Sequence, residues 1–458
     1  MPDFDLTVIG SGPGGYVAAI HAARQGARVA VVEQSKAMWG GTCLNVGCIP
    51  TKTLVQSAEV FKAVGQAAEF GVKTGPPEAD WAAMQARKDR VVSGMRQGVQ
   101  GLLKSNGVEM VVGRGRLLAA GRVGLDGTEL SSRFVILAPG SVPAVPPFPG
   151  AEFALTSDGL LGIDHIPASL AVIGGGVVGM EFAGIFSLLG TKVTVIEMLD
   201  QLLTPLDPDV AGRFQQLMTK RGVDFKVGAK VESIEQSAAG FKVRYSGTEM
   251  EAEQVLVATG RRPNTADMGL EEVGVTLQRG AIAVDQHLRT SLEGVFAIGD
   301  ATMISMLAHT ASYQGEIAVA NALGEKRISA DYSTIPGAIY TDPEIAYVGL
   351  SEAAALASGQ TVKVGSFPFA ALGRAMVIGE TAGLVKVVTD GDGYLLGVTI
   401  MGPRATDLIA EAVLALHQGL TAAELTHAVH AHPTLPEALA EAALDVDRRA
   451  VHVPPRRR

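Results

Sequence analysis

Two stretches of the chain carry the same succession of apolar and small polar positions. The run Leu6-Thr7-Val8-Ile9 predicts a buried strand that breaks into Gly10-Ser11-Gly12-Pro13-Gly14-Gly15. An Ala-rich helix follows, from about Gly14 to Gln25, stopped by Gly26, and a second strand from Arg28 to Val32 ends on Glu33. Later, Leu170 to Ile173 predicts a strand and Gly174-Gly175-Gly176-Val177-Val178-Gly179 a turn. Gly190 ends the next helix, and Val193 to Ile196 is a strand that ends on Glu197. In both copies the first glycine stands 16 positions before the stopping glycine and 23 before the acid.

Two further apolar runs end in small, close-approach turns: Phe134 to Leu137 before Ala138-Pro139-Gly140, and Val255 to Val257 before Ala258-Thr259-Gly260. Each is expected to close one nucleotide unit. Val295 to Ile298 predicts another strand, ending on Gly299-Asp300. Taken alone, Asp300 reads as readily as the N-cap of a following helix as a ribose or ribityl contact. Beyond about Tyr332 strand-like runs, Gly383 to Val388 and Leu395 to Ile400, alternate with an Ala-rich helix from Asp407 to Leu416. No glycine fingerprint occurs there, so this third unit is expected to serve packing, against a second subunit.

The glycines have a physical reading. The first permits the tight turn, the second lets the backbone approach a pyrophosphate, and the third lets helix and strand pack closely. The helix N-terminus supplies unpaired N–H donors and a positive dipole end to phosphates. Glu33 and Glu197 would accept hydrogen bonds from ribose hydroxyls. One G-x-G-x-x-G is weak, since glycines also serve plain tight turns; two copies with matching acids are strong.

At 458 residues the chain suits roughly three domains. With 47% hydrophobic and 19% charged residues it can bury real cores, and 55 glycines with 5% aromatics favour tightly packed α/β units. A net charge of −9 leaves no basic excess to neutralise phosphates, which argues against a nucleic-acid partner. Arg456-Arg457-Arg458 reads as a frayed basic tail. The first strand is expected by Phe4, without a leader before it. The most apolar long stretch, Leu170 to Gly190, contains Glu181 and six glycines, so no membrane span is expected. The expected location is cytoplasmic.

Cys43 and Cys48 are the two cysteines of the chain, too few for a disulfide scaffold. On a regular helix thiols five apart do not face each other, but Gly47 permits a distorted turn that brings them into reach. Pro50 suits a first helical position, which puts Cys48 near a helix N-terminus where a thiolate is favoured, with Lys52 adding positive charge. Two inert buried thiols are the plainer alternative. Zinc fails for want of further ligands: the nearest histidine, His21, lies in the first fingerprint helix.

The two fingerprints, the segment Gly40-Gly41-Thr42-Cys43-Leu44-Asn45-Val46-Gly47-Cys48 and the segment His430-Ala431-His432-Pro433-Thr434-Leu435-Pro436-Glu437 together resemble the pyridine-nucleotide disulfide oxidoreductase family, and most closely its dihydrolipoamide-oxidising members. The resemblance runs from about Asp3 to Asp445. It implies a mixed α/β fold of two Rossmann-like domains, one for FAD and one for NAD, and a C-terminal α+β dimerisation domain. The implied boundaries are 1–148 (FAD), 149–262 (NAD), 263–332 (a central part completing the FAD site) and 333–458 (interface).

The resemblance also implies roles. FAD would meet Gly10, Gly12, Gly14, Gly15, Glu33, Lys52, Gly140 and Asp300, with Met306, Leu307 and Ala308 from the segment that ends on His309. NAD would meet Gly174, Gly176, Gly179, Glu197 and Gly260. Cys43 would exchange with the substrate dithiol, Cys48 would sit against the flavin, and Lys52 and Glu181 would pair nearby. His432, oriented by Glu437 and followed by a cis proline, would manage thiol protons in the active site of the partner subunit of a homodimer. His430 would be a structural neighbour. A lipoylated acyltransferase or H protein of a multienzyme complex is the implied partner. Ser305 and Thr51 depart from the family pattern, where Pro and Ser are usual, and neither touches the chemistry. Glutathione or mercuric reductase-like activity is the alternative within this fold. Mercuric reductases are expected to carry an extra C-terminal cysteine pair that is missing here. A subunit kept only for binding or structure is expected to have lost a cysteine or the His–Glu pair.

Overall fold

The structure is a computed structural model that describes residues 1–454 except 126, 239, 325 and 326; the tail Arg456-Arg457-Arg458 lies outside the described residues. The first sheet uses β1 (Phe4–Ile9), β2 (Val29–Glu33), β3 (Glu109–Val112), β4 (Arg116–Ala119), β5 (Arg122–Leu125) and β6 (Thr128–Leu137), in the order β3-β2-β1-β6-β5-β4. β3, β2, β1 and the second half of β6 run parallel, with Leu6 to Ile9 opposite Val29 to Val32 on one side and Phe134 to Leu137 on the other. Continuous Val/Ile/Leu runs buried on both faces are what a parallel sheet requires. β7 (Ser141–Pro143) then leads the chain out of this unit.

A second parallel sheet has the order β10-β9-β8-β14, from β8 (Ser169–Ile173), β9 (Lys192–Ile196), β10 (Asp224–Lys226) and β14 (Gln254–Val257). Between β10 and β14 an antiparallel meander forms from β11 (Val231–Ser237), β12 (Gly240–Tyr245) and β13 (Thr248–Ala252). β15 (Arg261–Pro263) brings the chain back antiparallel to β7, and β16 (Leu277–Gln278) pairs with β17 (Ala281–Ile282). β18 (Val295–Ala297) then joins the first sheet beside Val135 to Leu137. The C-terminal sheet is antiparallel, in the order β19-β20-β23-β22-β21, from β19 (Gly337–Ile339), β20 (Glu344–Gly349), β21 (Lys363–Pro368), β22 (Leu384–Thr389) and β23 (Leu395–Gly402).

Helices α1 (Pro13–Arg24), α2 (Gly41–Val46), α3 (Cys48–Gly65) and α4 (Trp81–Ser105) belong to the first unit; α5 (Ser157–Leu160), α6 (Val177–Leu188) and α7 (Pro208–Lys220) to the second. α8 (Ala308–Leu323) returns to lie on α1, and the approach depends on glycine: a Cβ on Gly14 would stand 2.8 Å from the Ala311 carbonyl oxygen, and one on Gly315 2.7 Å from that of Gly14. The C-terminal unit adds α9 (Glu352–Ala357), α10 (Gly373–Ile378), α11 (Ala405–His417), α12 (Ala422–His427) and α13 (Glu437–Asp445). The apolar stretch 170–190 folds as β8, turn and α6, and no described helix is long and apolar enough to cross a membrane.

Three regions share one core. Leu54 and Ala58 of α3, Phe182 and Phe186 of α6, and Ile339, Ile345 and Met401 of the C-terminal sheet are buried together. An ion cluster around a buried lysine adds a second junction. Lys386 on β22 and Asp207 before α7 are 4% and 3% exposed and lie 3.1 Å apart, with Asp209 and Glu352 at 3.0 and 2.7 Å from the same ammonium. Asp207 also accepts from the N–H groups of Glu352 and Ala353 at the start of α9. Burial pushes its carboxyl up, but those donors and Lys386 outweigh it and hold Asp207 below the usual carboxylate range. Asp207→Asn is expected to lower stability by about 1–3 kcal/mol, read as a reduced urea midpoint at unchanged slope. A wild-type midpoint would show that the cluster contributes nothing.

Candidate active site

The site begins at the two glycine turns. Gly10, at φ +103°, has no room for a side chain, since its Cβ would stand 2.1 Å from the Ala138 carbonyl oxygen; that of Gly15 would stand 1.9 Å from Gly10 O. In the second copy Gly174, at φ +112°, presses on Ala258 O in the same way and Gly179 on Gly174 O. The first and third glycines therefore nest strand, crossing loop and helix. The middle ones, Gly12 and Gly176, are the N-caps of α1 and α6, where no side chain caps the helix and no acid stands in the first turn. A Cβ on Gly176 would meet nothing within 4 Å. Both helices thus present unpaired N–H groups and a positive dipole end to open space.

The acids that end β2 and follow β9 find partners within their own turns. Glu33 is buried and accepts from Ser11 through both N–H (3.1 Å) and hydroxyl (2.6 Å). Burial pushes its carboxyl up, against those hydrogen bonds. Glu197 accepts from the N–H groups of Gly175 at 2.6 Å and Leu199 at 2.7 Å. Each acid braces its own phosphate-type turn.

One cavity of about 1320 Å³ reaches from the first turn to the second. Gly10, Gly12, Gly14, Gly15, Glu33, Cys43, Cys48, Lys52, Gly140, Gly174, Gly176, Glu181, Glu197, Gly260, Asp300, Met306, Leu307 and Ala308 all line it. Gly179 does not; it packs behind its turn. His432 and Glu437 do not line it either. Asp300 is not a helix cap: it sits in a 3-10 turn, Gly299–Thr302, and α8 is capped by Leu307.

The cysteines face each other across a break between two helices. Cys43 lies in α2; Gly47, at φ −137° and ψ −117°, interrupts the helix; and Cys48 is the first residue of α3. Pro50 is thus third, not first, in that helix, and the thiol itself takes the N-terminal position. A Cβ on Gly47 would stand 2.9 Å from Thr42 O and 3.1 Å from Cys43 Cα, so the break admits only glycine without rearrangement. Gly41, at φ +70°, anchors α2 to the first fingerprint, its Cβ position lying 2.4 Å from Gly12 Cα. The pair is asymmetric: the hydrogen bond from the Cys43 thiol, and then the Lys52 charge, pull Cys48 down to about 7 against burial. Cys43 is pushed up by the same hydrogen bond, by burial and by the Cys48 charge.

Lys52, one turn into α3, lies 2.6 and 2.7 Å from the Glu181 carboxylate oxygens. Their side chains are 28% and 5% exposed, so the pair is only partly screened by solvent. Across the cavity Arg261 donates from Nε to Ser141 Oγ (2.7 Å) and from Nη2 to Ser141 O (2.8 Å), and Ser141 Oγ donates to Asp300 at 2.5 Å. Asp300 is therefore held from both returning strands, β7 and β15. Neither Ser141 nor Arg261 is signalled by local sequence pattern, since their partners are 120 and 159 positions away.

His432 Nδ1 is 2.9 Å from Glu437 Oε1, the His432–Pro433 bond is cis, and Thr434 N–H donates to the other carboxylate oxygen at 2.8 Å. Although burial works the other way, the Thr434 N–H and His432 hold Glu437 below the usual range. The imidazole is 78% exposed. His430 is tied to Glu411 at 2.8 Å and to Ala428 O at 2.9 Å, a structural arrangement.

Comparisons with known proteins agree with this geometry. The family model described as pyridine nucleotide-disulphide oxidoreductase matches residues 4–315, and that of the family's dimerisation domain matches 335–443. The chain is 42% identical over 466 residues to the dihydrolipoyl dehydrogenase of Chlamydia muridarum, covering 99% of each, and 40% identical over 479 residues to that of Bacillus subtilis, covering 98% of this chain and 99% of the relative. Among solved structures, LpdA of Mycobacterium tuberculosis superposes with a TM-score of 0.89 at 30% identity, covering 96% of this chain and 98% of that one. The HOCl-induced flavoprotein disulfide reductase RclA of Escherichia coli gives 0.88 at 30%, covering 96% and 99%. With paired dinucleotide turns opening on one thiol pair, and with matches along nearly its whole length, this chain belongs to the pyridine nucleotide-disulphide oxidoreductase family.

Proposed function

We propose that the chain is a homodimeric dihydrolipoyl dehydrogenase that uses FAD and NAD. The family joins a flavin to a pyridine nucleotide, and its second matched segment is a dimerisation domain. The observation that carries the finer reading is the single cavity in which a dithiol and a Lys–Glu pair stand between two uncapped helix N-termini. The open approach at Gly176 and the cavity-lining backbone of Gly12 fit two pyrophosphates. Residues 1–148 and 263–332 would hold FAD, through the first turn, Glu33, Lys52, Gly140, Asp300 and Met306 to Ala308. Residues 149–262 would hold NAD, through the second turn, Glu197 and Gly260, with Gly179 supporting the turn by packing. Residues 333–458 would form the interface.

A flavin held by these residues would supply two-electron chemistry between a thiolate and a pyridine nucleotide. The protein's own part begins with the oxidised Cys43–Cys48 pair. A dihydrolipoamide thiolate attacks Cys43 sulfur, the Cys43–Cys48 bond breaks, and Cys48 leaves as the thiolate that its helix position and Lys52 favour. The second substrate thiol then displaces Cys43, closing the lipoamide disulfide. His432 from the partner subunit accepts the proton, and Glu437 orients its ring. The proposed partner is a lipoylated acyltransferase or H protein in the cytosol.

The test is NAD reduction by dihydrolipoamide with purified protein; no turnover would sink the reading. Glu197, directly after β9 in this cavity, would repel a 2′-phosphate, and Lys230, which lines this end, is exposed to screening solvent. NAD is expected to exceed NADP by roughly a hundredfold in kcat/KM, about 2.7 kcal/mol. Equal rates would remove the cofactor assignment.

A further inference from the structure

The Lys52–Glu181 pair has a third member that the proposed mechanism does not use. Tyr340 directly follows β19 in the C-terminal unit and lines the cavity half-buried. Its N–H donates to Glu181 Oε1 at 3.0 Å, and its ring centre lies 4.7 Å from Lys52 Nζ. One residue thus holds both ends of the pair, the carboxylate through its backbone and the ammonium through its π face. The backbone is in turn fixed by the shared core, where Ile339 and Ile345 pack with Leu54 of α3 and Phe182 of α6. An ammonium on a four-carbon stem, 28% exposed, has other places to go. Lys52 stands four residues after Cys48 in α3, one turn on along the same helix face, so an ammonium kept under the ring stays on the side of the helix that carries Cys48.

We infer that Tyr340 is a positioning residue for the redox centre: through Lys52 it sets the acidity of the Cys48 thiol, and so ties the C-terminal unit to the chemistry of the first. The inference rests on reading Cys48 as the thiolate that meets the flavin. Within the chain the groups facing Cys48 are Cys43 on α2, Lys52 on its own helix and Glu181 on α6, with Tyr16 of α1 beside Cys43, and in the proposed dimer His432 of the partner subunit faces the same pair. Lys52 favours the thiolate and Glu181 opposes it. A Lys52 released from the ring spends less time near Cys48, so the balance moves toward the thiol.

The experiment uses the flavin-loaded full chain, reduced anaerobically by two electrons. Its long-wavelength thiolate–flavin absorbance is titrated with pH in the wild type, Tyr340→Phe, Tyr340→Leu and Tyr340→Met, the last keeping most of the volume without a ring. Tyr340→Leu and Tyr340→Met are expected to raise the midpoint by about half a pH unit, while Tyr340→Phe stays at the wild-type value. In a Lys52→Met background, Tyr340→Leu is expected to add no further shift. Iodoacetamide labelling of Cys48 against pH, read by mass spectrometry, follows the same ionisation without any flavin signal. A wild type lacking the absorbance would thus strike the flavin reading alone, and labelling would still decide on Tyr340. Identical Cys48 profiles in the wild type, Tyr340→Leu and Tyr340→Met would overturn the inference, as would an equal shift in Tyr340→Phe.

Discussion

Replacing Cys43 with serine is expected to bring dihydrolipoamide turnover below detection while the protein still binds its flavin. The two halves of that expectation come from different parts of the structure. Turnover needs a sulfur that a substrate thiolate can attack, and a serine oxygen forms no disulfide. On the proposed reading flavin is held by the first glycine turn and Glu33, and α2 meets that turn through backbone at Gly41 and Gly12, which the substitution leaves alone. Cys48→Ser should likewise abolish turnover and, in addition, remove the long-wavelength absorbance of a thiolate against oxidised flavin. Anaerobic reduction followed by absorbance, with flavin content measured after gel filtration, checks both. Near-normal activity in either variant would show that the pair is not the redox centre.

His432→Ala is expected to lower the same turnover by roughly 10²–10⁴, the usual contribution of general acid–base catalysis. The histidine is oriented yet idle within its own chain. Glu437 holds Nδ1 of its ring, the imidazole is 78% exposed, and the cavity with the cysteines is lined by other residues. In the proposed dimer that ring serves the site of the partner subunit. NADH oxidation by an artificial acceptor should survive the substitution, because it bypasses the thiols. Mixing Cys43→Ser chains with His432→Ala chains and allowing subunit exchange should restore activity, since each mixed dimer contains one intact site. A purified mixed dimer without activity, or an active monomer, would refute the shared site.

Much of this was legible along the chain because it is encoded locally. The strand-turn-helix at Gly10 and its copy at Gly174 are set by residues within a few positions, and the stopping glycines, Gly26 at φ +88° and Gly190 at φ +93°, stand where the pattern put them. The break at Gly47 could also be anticipated, from two thiols that no regular helix would turn toward each other. What escaped was assembled over distance. Ser141 and Arg261 lie in three-residue strands too short for any periodicity, and they act on Asp300 only because β7 and β15 pair. Tyr340 is an ordinary strand-end aromatic until the fold carries it to a lysine 288 positions earlier. Glu33 and Glu197 were visible as acids at the right offset, but their bracing of Ser11 and Gly175 needed the turn in three dimensions.

The antiparallel contact of β7 with β15 has a consequence for how the chain can be cut and rejoined. Val142 lies opposite Arg262 and Pro143 opposite Arg261, so the chain leaves the first sheet and re-enters at neighbouring positions. Everything between them, the whole β8–β14 sheet with its meander, is a cassette inserted into one loop. The first sheet, by contrast, is not contiguous: a fragment ending before Val295 leaves the β6 backbone at Val135 to Leu137 without its neighbour, an open edge of the kind that recruits other chains. A flavin-binding half therefore cannot be obtained by truncation. Excision with a two-residue hairpin turn between Pro143 and Arg261 closes the backbone, but it strips Leu54 and Ala58 of α3 of their α6 partners Phe182 and Phe186, so that face needs polar replacements as well.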